Sequence, residues 1–322
     1  MHYCGLDVSL RATAICVVDA EGAIVKEAKV ASDPDAIGAF LRATGLELGR
    51  VGLEAGSTSS WLHAGLRAQG WPVVRIDARH AAAALRAGFR NTSDRHDARG
   101  IADPVRVNKF REAWVKSAPA RLKDALPTAR STVHGQLVEN VVRGLLRVRG
   151  VVLPLGRARF EREARGPIGG DAGLLEVVAP LLAVRAELLR QRTALDRRIV
   201  AAAREDRVCR LLATAPGVGA HVALAFRSAV DDPARFRRSR TVGAHFGPTP
   251  RQHSSGEVQR SGCISKMGDR LVRKLLYVMA VAVLRREGGP WCALKAWALS
   301  VAKTRGLRKA RVALARRLAV TF

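Results

Sequence analysis

Three β-branched segments follow one another in the first thirty residues, and they restrict the fold more than anything after them. Tyr3–Val8, Thr13–Asp19 and Ala23–Val30 alternate with the period of two that half-buried strands need. Gly22 punctuates the second gap, so the segments predict an antiparallel meander, with Asp7 at the end of its first strand. Ser32-Asp33-Pro34-Asp35 then has the marks of a helix start: a capping side chain, a first-turn proline and acids. That helix ends near Gly45. Arg50–Glu54 reads as a short strand closing on an acid, and Ser57 or Thr58 opens a helix to about Gln69. Trp71–Ile76 is a further strand, and Ala78–Ala87 an Ala-rich helix. The order β-β-β-α-β-α-β-α predicts an α/β domain, a mixed sheet with helices packed on it.

Charge narrows the partners. The chain has 322 residues, 48% of them hydrophobic, enough for two domains with real cores. Lys and Arg total 55 against 28 Asp and Glu, a formal charge of +27 spread over the whole length. A field of that size draws in polyanions, and Arg's planar fork suits phosphate, so nucleic acid is the first partner to consider. No apolar run reaches the length of a membrane span, and the first residues do not form a signal peptide. The five cysteines are scattered and form no C-x-x-C pair, which argues against a disulfide framework and a zinc site. A cytoplasmic, nucleoid-associated protein with no membrane partner is expected.

Against this basic background, Asn91–Gly100 (N-T-S-D-R-H-D-A-R-G) concentrates acid. Asp94 and Asp97, three apart, project from one face of a helix and repel unless a cation lies between them. Ser93 can equally serve as an N-cap, with both acids facing the helix macrodipole. Arg95 and Arg99 flank the pair, fit to contact phosphate or to act as structural partners, and His96 lies between. Asp7 and Glu54 end strands that could be neighbours, so four acids from separated segments can converge at one sheet edge. Such a cluster is harder to explain without a hard divalent cation.

The remainder is mainly helical. Pro119–Gly150 is helical with Pro127 inside it, 151–170 reads as a Gly-, Pro- and Arg-rich linker, and Leu174–Ala203 is a long amphipathic helix. Its stripe of Leu181, Val184, Leu188, Leu195 and Ile199 fits ordinary packing or pairing with a second subunit. Thr214–Ala220 (T-A-P-G-V-G-A) is a tight turn whose Gly217 and Gly219 amides could meet a phosphate, or a plain interhelical turn. Arg237 belongs to the basic run Arg235–Arg240, a phosphate contact or a solvated face. His245–Gly268 reads as a long Gly-, Ser- and Pro-rich loop before the helix Asp269–Arg286, and Arg251, His253, Arg260, Lys266 and Arg270 crowd it with cations. A serine hydroxyl here needs a base, a metal or cations to act as a nucleophile. The basic C-terminal helix carries Trp291, Trp297, Lys295 and Lys303, with core packing on one side and phosphate contact on the other.

The G-L-D-V-S start, the L-E-A-G stretch, the S-D-R-H-D-A-R-G-I-A block, the Gln136–Leu146 element and the H-F-G-P-T-P…S-S-G loop together resemble the DEDD transposases of bacterial insertion sequences. The resemblance runs from Gly5 to about Val320. It implies a RuvC-like, ribonuclease-H-type domain at 1–110, a helical linker or coiled-coil region at 111–204, and a mainly α transposase domain at 205–322. It further implies an RNA-guided DNA recombinase that needs Mg²⁺ or Mn²⁺, donor and target DNA, a structured non-coding guide RNA and a homo-oligomer, dimer or tetramer. Asp7, Glu54, Asp94 and Asp97 match the metal-binding acids. Ser255, the serine directly before Gly, matches the nucleophile that forms a phosphoserine–DNA link; chemistry alone does not separate it from Ser254. Two departures, Asp103-Pro104 and Gly247-Pro248, fall on no matched site residue; the first is expected to kink or end its helix. The competing readings are a metal-only, Holliday-junction-type endonuclease and a non-catalytic transposase-derived nucleic-acid-binding protein.

Overall fold

A computed structural model describes the chain except for residues 79–80, 82–93, 137, 149, 154–159, 169–170, 216, 256–257 and 286–292. The Ser93 cap and most of the Ala78–Ala87 helix expected above lie outside the described residues. The chain divides into two compact units, Met1–Lys116 and Ser117–Phe322.

The first unit is built on a five-stranded sheet in the order β3-β2-β1-β4-β5. Strands β1 (His2–Val8), β2 (Ala12–Val18) and β3 (Ile24–Ala31) form the expected antiparallel meander. Strands β4 (Leu48–Glu54) and β5 (Val73–Ile76) continue it in parallel with β1. Helix α1 (Pro34–Ala43) is capped by Asp33, whose carboxylate accepts from the Asp35 and Ala36 amides, and α2 (Ser59–Ala68) follows β4. Strand alternation splits the core in two. Cys4, Leu6, Ile15, Val17 and Leu53 meet Ile37, Leu41, Leu62 and Leu66 of the two helices on one face. Ala14, Cys16 and Val18 meet Ala98 and Ala102 on the other.

That second face carries α3 (Asp94–Arg106), and two glycines set how closely it lies. Gly5 and Gly52 are register partners in β1 and β4. A methyl group on Gly5 would stand 2.1 Å from the Ala98 carbonyl oxygen and 2.5 Å from the Ala102 amide nitrogen. One on Gly52 would meet a Val105 methyl at 2.4 Å. The helix therefore rests backbone to backbone on the sheet, with Ala98, Ile101, Ala102 and Val105 fully buried. Pro104 does not end the helix where it stands; α3 runs two residues further, to Arg106.

The second unit is helical apart from one hairpin. The stretch expected as one helix over Pro119–Gly150 is two, α4 (Ala118–Gly135) and α5 (Glu139–Arg147). The expected linker contains a helix, α6 (Phe160–Ile168), because Phe160 is fully buried between the guanidinium groups of Arg143 and Arg185, 4.8 and 4.7 Å from its ring centre. Helix α7 (Ala172–Glu205) is the long helix; of its predicted stripe, Ile199 is fully buried and Val184 is 50% exposed. Short α8 (Arg207–Leu212), α9 (Ala220–Val230) and α10 (Ser239–His245) lead to the hairpin β6 (Pro250–Ser255) and β7 (Val258–Ile264). This hairpin replaces the long loop expected there, since cross-strand pairing gives its polar backbone partners within the segment. At its base Gly247 (φ 78°) and Gly268 (φ 66°) leave no room for a side chain: an added methyl group would lie 2.4 Å from the Met267 amide nitrogen and 2.0 Å from the His245 carbonyl oxygen, respectively. Helices α11 (Arg270–Arg285), α12 (Ala293–Arg305) and α13 (Leu307–Thr321) complete the unit.

The helix seat makes a direct prediction. Gly5→Ala should destabilise the protein by about 3 kcal/mol, because the clash is with backbone that cannot rotate away. Gly144→Ala, which meets nothing within 4 Å, should be neutral or mildly stabilising. Thermal melts of both variants check this.

Candidate metal centre

The glycine seat determines where the acids fall. Counting by twos, Asp7 shares the face of Gly5 and Glu54 the face of Gly52, so both acids end their strands on the α3 side. The last register pair before them is Leu6 with Leu53, which sets Asp7 and Glu54 level at the carboxyl ends of adjacent parallel strands. Asp94 and Asp97 begin α3, on the same helix face as Ala98, Ile101 and Ala102. A crevice of about 670 Å³ opens beside Asp7 and Glu54, walled by Ser9, Arg11, Ser57 and Thr58.

Asp7 feels the other three acids. Burial first, then Asp97, Asp94 and Glu54, push the Asp7 carboxyl up to about 6, against a smaller opposing pull from Lys29. Burial and Asp97 raise Glu54 as well. Asp94 is exposed, and a 2.6 Å hydrogen bond from Lys29 Nζ holds its carboxyl below the usual range.

Lys29 belongs to a lattice of charges that the sequence reading did not single out. Glu27 and Lys29 lie opposite Cys16 and Ala14 in the β2–β3 register, and so face α3. The Glu27 carboxylate accepts from Arg99 Nε at 2.6 Å, Arg99 Nη2 at 2.9 Å and Arg95 Nη2 at 2.6 Å. Hydrogen bonding from Arg99, and next from Arg95, holds it at about 2 although its side chain is only 12% exposed. Arg95 and Arg99, expected as phosphate contacts or structural partners, are thus engaged as partners of Glu27. The signal available beforehand was the alternation of charge along Lys26, Glu27 and Lys29 in an otherwise apolar strand.

The donor set suits a hard divalent cation: four carboxylates and no thiolate, with mutual repulsion that such an ion would relieve. Among the described residues no three ligand side chains stand close enough to hold an ion as they are. For the four acids to share an ion, their carboxylates would have to turn closer together.

Ser255 lies in the second unit, exposed at the last position of β6 and opposite Val258. Of the basic residues expected around it, Arg251, Arg260, Lys266 and Arg270 are exposed, and Lys266 has a positive φ of 54°. Arg237 is also exposed, whereas its neighbour Arg235 is half-buried, with its Cζ 4.5 Å from the Phe236 ring centre. Gly217 (φ 83°) turns the chain between α8 and α9, and Gly219 caps α9.

A fold of this kind, with acids at the ends of adjacent strands and on the helix laid across them, defines a nuclease-like α/β domain followed by a helical region. A family model for the IS110-type DEDD transposases matches residues 4–153, and one described as the transposase IS116/IS110/IS902 family matches 209–295. The chain belongs to the IS110 family of transposases. It is similar to the transposase for insertion sequence element IS1111A of Coxiella burnetii, 29% identical over 97% of this chain and 85% of the relative. It is also similar to a probable family 20 transposase of Pseudomonas aeruginosa, 35% identical over 69% of this chain and 68% of that one. No helix among the described residues is long and apolar enough to cross a membrane.

The raised Asp7 carboxyl fixes the sign of a pH effect. A group that holds its proton more tightly when folded adds stability below its unfolded value near 4, and that stability is lost as pH rises through about 6. In chelator-treated protein at pH 7.5, Asp7→Asn should therefore raise stability by ~1–2 kcal/mol after allowance for solvent screening. The gain should vanish near pH 4. Denaturant melts at the two pH values measure it.

Proposed function

We propose that the chain is an RNA-guided DNA recombinase with a RuvC-like, ribonuclease-H-type first domain and a serine nucleophile in the second. The observation that carries the reading is the electrostatic coupling of Asp7, Glu54, Asp94 and Asp97 in a protein of net charge +27, joined to membership of a transposase family. These four acids would hold Mg²⁺ or Mn²⁺. The bound cation supplies Lewis-acid polarisation and charge neutralisation at a phosphodiester. Lys29, paired with Asp94, adds a cation at the same end of the acid cluster.

Ser255 Oγ attacks the phosphorus, forming an ester bond while one P–O bond to a DNA hydroxyl oxygen breaks; the proton given up by the serine balances the one gained by the departing oxygen. A hydroxyl on a second DNA strand reverses the step, so bond energy is retained and strands are exchanged without a nucleotide cofactor. Arg251, Arg260, Lys266 and Arg270 hold phosphates beside the serine by salt-sensitive contacts, and Gly217, Gly219 and Arg237 offer further phosphate contacts. Donor DNA, target DNA and a structured guide RNA are the partners. The acids of one subunit act with the serine of another, which makes the working form a homo-oligomer.

Ser255→Ala should remove the covalent protein–DNA adduct and lower strand transfer by on the order of 10³-fold or more. Asp94→Asn should remove cleavage while RNA and DNA binding persist. Denaturing gels of end-labelled DNA read both. Cleavage by Ser255→Ala at the wild-type rate would indicate a metal-only nuclease and sink the serine mechanism.

A further inference from the structure

The second unit contains a groove that the reaction above does not use. It has a volume of about 860 Å³ and lies between the hairpin strand β7 and the last two helices, α12 and α13. Its walls combine two chemistries. Trp297, Val301, Val312, Val320 and Ile264 supply an apolar floor. Arg240, Arg305, Arg308, Lys309, Arg316 and Arg317 rim it with cations, and among the described residues that line it none is acidic. The Arg317 guanidinium carbon stands 4.5 Å from the Trp297 ring centre, so aromatic and guanidinium surfaces are stacked together inside the groove.

A purely basic rim with a polar floor would suit duplex backbone. An apolar floor with a tryptophan is poorly matched to a duplex, whose bases are hidden, and well matched to unpaired bases that stack while their phosphates meet the rim. The location selects which strand. Cys263 of β7 lines the groove, and five residues of extended chain, about 17 Å, lead from it to Val258, the partner of Ser255. At about 3.4 Å per stacked nucleotide, a strand held at Ser255 reaches the groove within about five nucleotides.

We propose that this groove holds the unpaired DNA strand next to the phosphate attacked by Ser255, with Trp297 and Arg317 as its base-stacking platform. The assignment rests on the reading of Ser255 as nucleophile for the choice of strand, and on the groove's own chemistry for the choice of ligand.

The test uses the full chain carrying Ser255→Ala, so that binding is read without reaction, and a Cys292→Ser background. Fluorescence anisotropy is followed with labelled oligothymidylate, oligouridylate and a duplex of equal length over a range of salt. Trp297→Leu should weaken oligothymidylate binding about tenfold without changing the salt slope, and shift duplex binding less than twofold. The exposed pair Arg308→Ser with Lys309→Ser should lower the slope by about 1.4, and does not depend on repacking of the floor. Cys263, a free and exposed thiol, should be alkylated more slowly when oligothymidylate is bound. Equal weakening of single-stranded and duplex binding by Trp297→Leu, or unprotected Cys263, overturns the proposal. So does a more than tenfold preference for oligouridylate, which would make the groove an RNA site. A covalent adduct at wild-type Ser255 together with unaltered binding by Trp297→Leu rejects the groove alone, and the reverse pattern rejects the serine reading alone.

Discussion

The first unit depends on the backbone contact between α3 and the glycine pair Gly5 and Gly52. Helix-on-sheet packing ordinarily interposes a layer of side chains, but here the Ala98 carbonyl and Ala102 amide lie where a β-carbon on Gly5 would be. The acids on the helix are thereby brought down to the level of the acids at the strand ends. One added methyl at either glycine would push the helix, and with it Asp94 and Asp97, away from the strand ends that carry Asp7 and Glu54. Buried Ala98, Ile101, Ala102 and Val105 supply the apolar driving force for this approach.

Electrostatics then opposes what packing has assembled. Asp7 and Glu54 are raised by burial and by their acidic neighbours, which is unfavourable for the protein alone and favourable for binding a cation. The outer part of the same face is held in the opposite sense. Glu27, gripped by Arg99 and Arg95, and Asp94, gripped by Lys29, tie the start of α3 to β3. These bridges differ in worth: Lys29 and Asp94 are both more than half exposed and contribute little, whereas Glu27 is 12% exposed and ties two arginines to the sheet. The helix is fixed where it carries arginine and left adjustable where it carries the outermost acid.

In the second unit, charge is built into the core itself. The Glu139 carboxylate, 7% exposed, accepts from Arg185 Nε at 3.1 Å and Nη2 at 3.0 Å, and Arg143 lies on its other oxygen at 3.8 Å. Phe160 sits against both guanidinium groups. Removing Glu139 would leave two buried cations facing each other, so this cluster specifies how α5, α6 and α7 meet even where its net contribution to stability is small. The hairpin bearing Ser255 is positioned by a different device, the close approach of Gly247 and Gly268 to neighbouring backbone.

Local periodicity determined much of this protein in advance. Alternation in the first thirty residues is enough for the β1–β2–β3 meander, the Asp33-Pro34 start is enough for α1, and three-residue spacing puts Asp94 and Asp97 on one helix face. The four acids stood out beforehand because basic residues outnumber acidic ones 55 to 28. What only the tertiary structure decided are relations between distant segments. Nothing in the spacing of Gly5 and Gly52 says that they are register partners beneath a helix fifty residues further on. The pairing of Glu27 with Arg95 and Arg99, and of Lys29 with Asp94, depends on which face of an edge strand α3 covers. A hairpin was hidden in a loop-like composition because its partners are supplied by the opposite strand, and α6 was hidden in a Gly- and Pro-rich stretch because its anchor, Phe160, is held by arginines from two other helices. Sequence encodes propensity one segment at a time; close approach and charge pairing belong to two segments at once, and appear only when the chain has folded.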